Sequence, residues 1–131
     1  MINKILIVEP DQVLANIYTK LLINNGYQVI ASSNADSAIK QIDEFKPDLI
    51  VLEIQLVEHS GIELLYEIRS YIDLDPIKVI IFSKVPYYEF KDSISSLKKD
   101  LAIDSYLYKP ETKLTRLLDQ INRISLNSKV S

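Results

Sequence analysis

The chain has 131 residues, the size of one domain, with 47% hydrophobic and 25% charged side chains and a formal net charge of −3. The acidic balance argues against nucleic acid as a direct partner, since phosphate binding calls for a basic patch. The lack of cysteine removes disulfide and thiolate chemistry, and apolar runs as short as ILIV and VIIF exclude a transmembrane helix and, with it, a membrane partner. The start, MINKILIVEP, is too briefly apolar for a secretion signal and runs into acids, so a cytoplasmic protein is expected.

Taken in order, KILIV (4–8) reads as a buried strand. DQVLANIYTKLLINN follows as a helix, with Val13, Leu14, Ile17, Leu21 and Leu22 expected on its inner face and Gly26 expected at a left-handed C-cap. YQVIAS (27–32) is a second strand. ADSAIKQIDEF is a helix with Ala35, Ala38, Ile39 and Ile42 inward, stopped by Pro47. DLIVLE (48–53) is a third strand, and GIELLYEIRSYI a third helix with Ile62, Leu65 and Ile68 as its stripe. Asp75-Pro76 is a turn, KVIIFS (78–83) a fourth strand. Residues 87–100 form a polar helical stretch with Phe90, Ile94 and Leu97 as its apolar positions. DSYLYK (104–109) is a fifth strand. ETKLTRLLDQINRISL (111–126) is an amphipathic helix carrying Leu114, Leu117, Leu118, Ile121 and Ile124, and 127–131 is expected to be a disordered tail.

Five strand–helix pairs in alternation imply an α/β fold with a parallel sheet. Continuous apolar strands imply a sheet covered on both faces. At this size the expectation is a flavodoxin-like (βα)5 three-layer sandwich, strand order 2-1-3-4-5, as one domain over 2–126. With only two glycines, Gly26 and Gly61, no glycine-rich phosphate cradle is possible.

In such a sheet, ligands bind outside the carboxyl ends of the strands. Strand one ends in Glu9-Pro10-Asp11, strand three in Glu53, strand four in Ser83-Lys84 and strand five in Lys109-Pro110. Two or three acids, a hydroxyl and an ammonium are therefore expected in one crevice.

The pieces ILIVEPD, PDLIVLEIQLVEHSGIELL, VIIFS and YLYKP, in that order and at these spacings, make the chain resemble the receiver domain of bacterial two-component response regulators over about residues 2–126. The resemblance implies an acidic pair after strand one that helps hold Mg²⁺, an aspartate after strand three that accepts a phosphoryl group, and a Ser or Thr and a Lys that contact that group. It also implies an aromatic side chain on strand five that turns in or out with the state. These roles fall on Glu9 and Pro10, on Glu53 as phosphoacceptor equivalent, and on Ser83, Lys109 and Tyr106 as switch residues.

The departures carry the functional reading. Pro10 has no side-chain oxygen to offer Mg²⁺, which demands near-octahedral oxygen ligation; Asp11 lies one residue later. The Glu53 carboxylate lies one methylene further out than an aspartate, and a misplacement of about 1 Å can cost ~10²-fold in an in-line transfer. Lys84 stands where the family has a small residue and is placed to fill the entrance or pair with Glu53; the family's proline in the loop around Gln55 and Val57 is missing. Mg²⁺ is therefore expected to bind weakly if at all. No cofactor, metal ligand or catalytic residue is assigned, and an enzyme is not expected. Glu53 is placed to accept the charge-assisted hydrogen bonds a phosphoryl group would take, with one charge against nearly two.

Plainer readings stand beside these. Glu53 suits a solvated carboxylate beside Lys109, Asp11 an N-cap on the first helix, and Ser83 a strand-end hydroxyl. His59, the lone histidine, is expected to be exposed and inert rather than a metal ligand or phosphohistidine. A Ser83–Lys109 nucleophile lacks a recognisable oxyanion hole. Tyr87, Tyr88, Tyr106 and Tyr108 suit ordinary packing or a partner face. In receivers the fourth helix, fifth strand and fifth helix form the usual partner or dimer face.

The expected function is a stand-alone, atypical receiver (a pseudo-receiver): a phosphorylation-independent protein-interaction module in two-component phosphorelay signalling. Its partner would be another signalling protein, a histidine kinase or a downstream effector, or a second copy in a homodimer. The alternatives are a Mg²⁺-dependent response regulator phosphorylated by a histidine kinase, with Glu9 and Asp11 on the metal, and a nucleotide- or flavin-binding flavodoxin-like protein, which the acidic EPDQV turn opposes.

Overall fold

The computed structural model describes residues 2–71, 77–90 and 99–130. Five parallel strands, β1 (Lys4–Val8), β2 (Gln28–Ser32), β3 (Leu49–Leu52), β4 (Lys78–Ser83) and β5 (Ile103–Tyr108), form one sheet in the order β2-β1-β3-β4-β5. This is the order expected from the sequence. The helices among the described residues are α1 (Gln12–Asn24), α2 (Ala35–Phe45), α3 (Gly61–Arg69) and α4 (Leu114–Val130), with 3-10 turns at Tyr87–Phe90 and Lys109–Glu111.

Alternation along the strands sends side chains to two cores. Leu6, Val8, Ile50, Leu52, Val79 and Ile81 pack with α2 and α3 through Ala38, Ile42, Leu65 and Ile68. Ile5, Ile7, Leu49, Val51, Ile80 and Phe82 pack with α1 and α4 through Tyr18, Leu22, Leu117 and Ile121. Each fully buried Leu or Ile contributes about 2 kcal/mol of transfer free energy, so these two cores, rather than any polar contact, carry the fold.

The inner face of α1 is the expected one only in part. Leu22 is buried and Leu14 and Leu21 are half-buried, but Val13 and Ile17 are 68% and 43% exposed, and Ala15 and Tyr18 are buried in their stead. At 100° per residue, Val13 lies about 200° from Ala15. The partly polar Tyr18 shares the buried stripe with Leu22. On α3, Leu64 joins Leu65 and Ile68 in the core and Ile62 is half-buried.

The ends of the helices follow from local chemistry. Asp11 caps α1, accepting from the Val13 and Leu14 amides at 2.9 and 3.2 Å. Gly26 takes φ +94°, and paired bonds from Gly26 to Ile23 and from Tyr27 to Leu22 close that helix as a Schellman motif. Asn34 caps α2, and Lys46 leaves it in the left-handed region immediately before Pro47. α4 begins at Leu114, after the 3-10 turn that contains Pro110, and is helical through Val130, past the end expected at Leu126 and into the expected tail. The stretch NSKV holds neither glycine nor proline to stop it.

The helix expected over 87–100 falls mostly on residues outside those described, as does the Asp75-Pro76 turn; its start, Tyr87–Phe90, is a 3-10 turn, and its last two residues, Lys99 and Asp100, are helical.

Candidate functional site

Three strands deliver a polar group directly beyond a fully apolar run. The Glu9 amide donates to Ser32 O and the Glu53 amide to Val8 O, each at 3.0 Å. The parallel ladder thus continues one residue past β1 and β3 and sets the two glutamates side by side. Ser83 closes β4, and Lys109 follows β5. All four positions lie at the carboxyl edge of the sheet, and the charged and hydroxyl groups are sequestered: Glu9 is 4% exposed, Glu53 2% and Ser83 0%.

The loop after β3 is held tightly. Gln55 bridges to Ser60, Glu58 adopts a positive φ of 70°, and Ser60 caps α3 by accepting from the Ile62 amide. Gly61 is required there, because a Cβ would lie 2.8 Å from Ile54 Cα and 2.9 Å from Glu53 O, both main-chain atoms. The loop therefore returns against the Glu53 backbone and fixes it.

A buried carboxylate without partners would be very costly, and Glu53 has four. Its Oε2 accepts from the Ser83 hydroxyl and, at 3.1 Å, from the Gln55 amide. Its Oε1 accepts from the Lys84 amide at 3.1 Å and from the Lys109 ammonium at 2.9 Å. Burial alone would raise its pKa, but the bonds from Ser83, Lys109 and the two amides outweigh burial and hold it below the ordinary glutamate value. Lys109 also donates to Glu9 Oε1 at 2.5 Å. Burial pulls the Lys109 pKa down, and the two glutamates more than reverse this, so the ammonium stays charged above its usual range. The remaining Glu9 oxygen, Oε2, accepts from the Asp11 amide at 3.0 Å.

Two aromatic residues that sequence reasoning passed over complete the site. The Phe82 ring centroid lies 5.6 Å from Lys109 Nζ, and Tyr18 packs on Phe82 with centroids 5.3 Å apart. Burial pushes the Tyr18 hydroxyl up to about 12, with the charges of Lys109, Glu9 and Glu53 acting on it as well. Phe82 was open to inference: it precedes Ser83, and the period of two sends it to the opposite face of the sheet. Nothing in the sequence marked Tyr18.

Ser83 relays the site outward. Its Oγ accepts from the Val85 amide at 3.0 Å, and Val85 O accepts from the Tyr106 hydroxyl at 2.5 Å. Tyr106 packs against the core and meets Tyr87 edge-on at 6.2 Å. Tyr87 and Tyr88 are 54% and 65% exposed, and Tyr108 is half-buried. A shallow groove of ≈ 520 Å³ runs between β5 and α4, lined in part by Tyr106, Tyr108, Thr112 and Arg116.

Some expectations shift. Asp11 borders the acidic cleft of ≈ 360 Å³ that Glu9, Glu53 and Lys84 also line, but it is exposed and its Oδ1 is committed to capping α1. Lys84 meets Glu53 through its main-chain amide, and its side chain is exposed. His59 is exposed, as expected, 3.7 Å from Glu63. The Lys109 ammonium is engaged by Glu9 and Glu53, and the Ser83 hydroxyl donates to Glu53.

The Mg²⁺ that the resemblance implies does not fit this donor set. Pro10 offers no side-chain oxygen, Asp11 Oδ1 caps a helix, and one oxygen each of Glu9 and Glu53 is already held by Lys109. Among the described residues no three His, Cys, Asp or Glu side chains are grouped to hold a metal ion, and no helix is long and apolar enough to cross a membrane.

Comparison with known proteins agrees with this fold. The alkaline phosphatase synthesis transcriptional regulatory protein PhoP of Bacillus subtilis is 31% identical over 110 residues, covering 84% of this chain and 43% of that protein. The transcriptional regulatory protein KdpE of Staphylococcus aureus is 38% identical over 80 residues, 61% of this chain and 34% of that one. The chain thus spans less than half the length of these curated relatives. Among solved structures, a CheY-like receiver domain protein from Methanospirillum hungatei superposes with a TM-score of 0.82 at 23% identity over 100% of both chains. A two-component response regulator from Clostridium difficile superposes at 0.80 with 27% identity, covering 93% of this chain and 94% of that one. The family model for the response regulator receiver domain matches residues 5–122, nearly the whole sheet and its helices, and the chain belongs to that family.

Proposed function

We propose that this receiver domain is a pseudo-receiver, a protein-interaction module of two-component signalling that keeps one state without phosphorylation. Glu53 stands at the phosphoacceptor position. The observation that carries this reading is the occupancy of Glu53: its carboxylate already takes the Ser83 hydroxyl and the Lys109 ammonium, the two groups that contact a phosphoryl group in receivers. From there the bonds run through Ser83 and Val85 to Tyr106, which is turned in against the core. The chain of contacts from site to β5 is closed with one negative charge, where phosphorylation would bring nearly two.

On this reading the domain is a binder rather than an enzyme, acting in the cytoplasm. Its partner is a histidine kinase, a downstream effector or a second copy. The partner surface is the face around Tyr87, Tyr88, Tyr106 and Tyr108, of which Tyr87 and Tyr88 are exposed and Tyr106 and Tyr108 line the groove beside α4.

The test is intact-mass analysis after incubation with a small acyl-phosphate donor and Mg²⁺, with Glu53→Asp alongside. The native chain is expected to gain no phosphoryl adduct. An adduct on Glu53→Asp would assign the lock to Glu53 alone, and none would assign it also to Pro10 or Lys84. A phosphoryl adduct on the native chain would overturn the reading and restore an ordinary phosphorylated switch.

A further inference from the structure

We infer that the Lys109 ammonium is the resident cation of this site, seated in place of a divalent metal and excluding one. This deepens the reading of a domain that holds its own state, and depends on that reading only for its consequence in signalling.

Three observations converge. First, the ammonium has a built seat. Nζ lies 2.5 Å from Glu9 Oε1 and 2.9 Å from Glu53 Oε1, with the Phe82 ring centroid at 5.6 Å and only 15% of the Lys109 side chain exposed. Two carboxylate oxygens and an aromatic face suit a monovalent ammonium, whose few N–H groups are satisfied directionally. A hard dication needs about six oxygens and keeps several of them as water. Second, the other carboxylate oxygens already accept. Glu9 Oε2 takes the Asp11 amide, and Glu53 Oε2 takes the Ser83 hydroxyl and the Gln55 amide. Turning either carboxylate toward a metal would break one of these bonds. Third, the neighbouring positions supply little: Pro10 has no side-chain oxygen, and Asp11, whose Oδ1 is held by the Val13 and Leu14 amides, has only its second oxygen left to offer. A divalent ion between Glu9 and Glu53 would displace Lys109 or lie against its positive charge.

The cation seat can be tested without any phosphoryl donor, so its failure is distinct from failure of the proposed function. Mn²⁺ binding is followed by paramagnetic broadening of amide resonances near Glu9 and Glu53, together with the Lys109 Nζ resonance of isotopically labelled native protein. The native chain is expected to show no saturable broadening at these amides and an unmoved Lys109 signal. Lys109→Met is expected to gain saturable Mn²⁺ binding, tighter than native by about tenfold or more, because a unit positive charge beside both carboxylates is gone. Lys109→Gln, which keeps a neutral donor, serves as second variant should Lys109→Met fail to fold, with the same gain expected. Saturable Mn²⁺ binding by the native chain, or a folded variant that gains none, would overturn the inference. If neither variant folds, the native titration alone decides: an unmoved Lys109 signal supports the seat and a displaced one refutes it. A native chain that takes a phosphoryl adduct yet binds no Mn²⁺ would refute the proposed function and leave this inference standing.

Discussion

The two ends of β3 each carry a carboxylate, and they are used in different ways. At the amino end, Asp48 accepts from the Asn3 and Lys4 amides, both at 2.9 Å, and so stitches the start of β1 to the start of β3. At the carboxyl end, Glu53 gathers the Ser83 hydroxyl, the Lys109 ammonium and two amides from two different loops. One end ties main-chain amides to a single side-chain carboxylate. The other collects side chains from β4, β5 and, through Lys109, β1. A parallel sheet makes this inevitable, because every strand enters from the same side and all βα loops open at the other. The lesson is that a hydrogen-bonded carboxylate at a strand end does not identify a site; convergence of chemically different donors from separate strands does.

That contrast can be broken at its strongest point first. Lys109→Met strands two nearly buried carboxylates, and the loss expected is about 3 kcal/mol, since removing one partner of a buried charge network leaves the rest uncompensated; urea unfolding measures it. Asp48→Ala should cost less, about 1–2 kcal/mol, the loss of an acceptor for two amides. It should leave the phosphoryl-donor and Mn²⁺ behaviour of the native chain unchanged. Equal losses from the two variants would show that the carboxyl-end network is no more than a second stitch.

The smallest effect is one of pH. Glu53 has a folded pKa below its ordinary value of 4.5, so the stability it adds is fully present above 4.5 and is lost as pH falls through the lower folded value. Lys109 has a folded pKa above 10.5, so its contribution is full below 10.5 and is lost as pH rises through the higher folded value. Between these limits the network is intact. Glu53→Gln should therefore flatten the acid limb of a stability–pH curve relative to native, and an unchanged acid limb would show that the carboxylate gains nothing from its four donors.

Much of this was legible before any coordinates. The apolar runs KILIV, DLIVL and KVIIFS are long enough and β-branched enough to be strands buried on both faces, and the helical stretches between them leave only a parallel sheet. Chain order along the carboxyl edge then brings Glu9, Glu53, Ser83 and Lys109 together, since each directly follows or ends a strand. Periodicity finds Leu14 and Leu22 on the inner face of α1 but weighs the amphipathic Tyr18 below Val13 and Ile17, although its ring is what the sheet covers. The amphipathic pattern begins a turn before the helix at Leu114, because Pro110 first closes a 3-10 turn.

The sequence by itself determined the class of fold, the strand order and the membership of the polar edge, because those follow from periodicity and from the one-sidedness of βα connections. Only the tertiary structure decided how the charges pair. It gave Lys109 to both glutamates rather than one, gave Glu53 the main chain of Lys84 rather than its ammonium, and put Phe82 and Tyr18 beneath them. The physical reason is distance. Hydrogen bonds and ion pairs depend on ångström-scale placement of side chains separated by as many as 100 residues in the chain, and a residue pattern carries no such information until the sheet has closed.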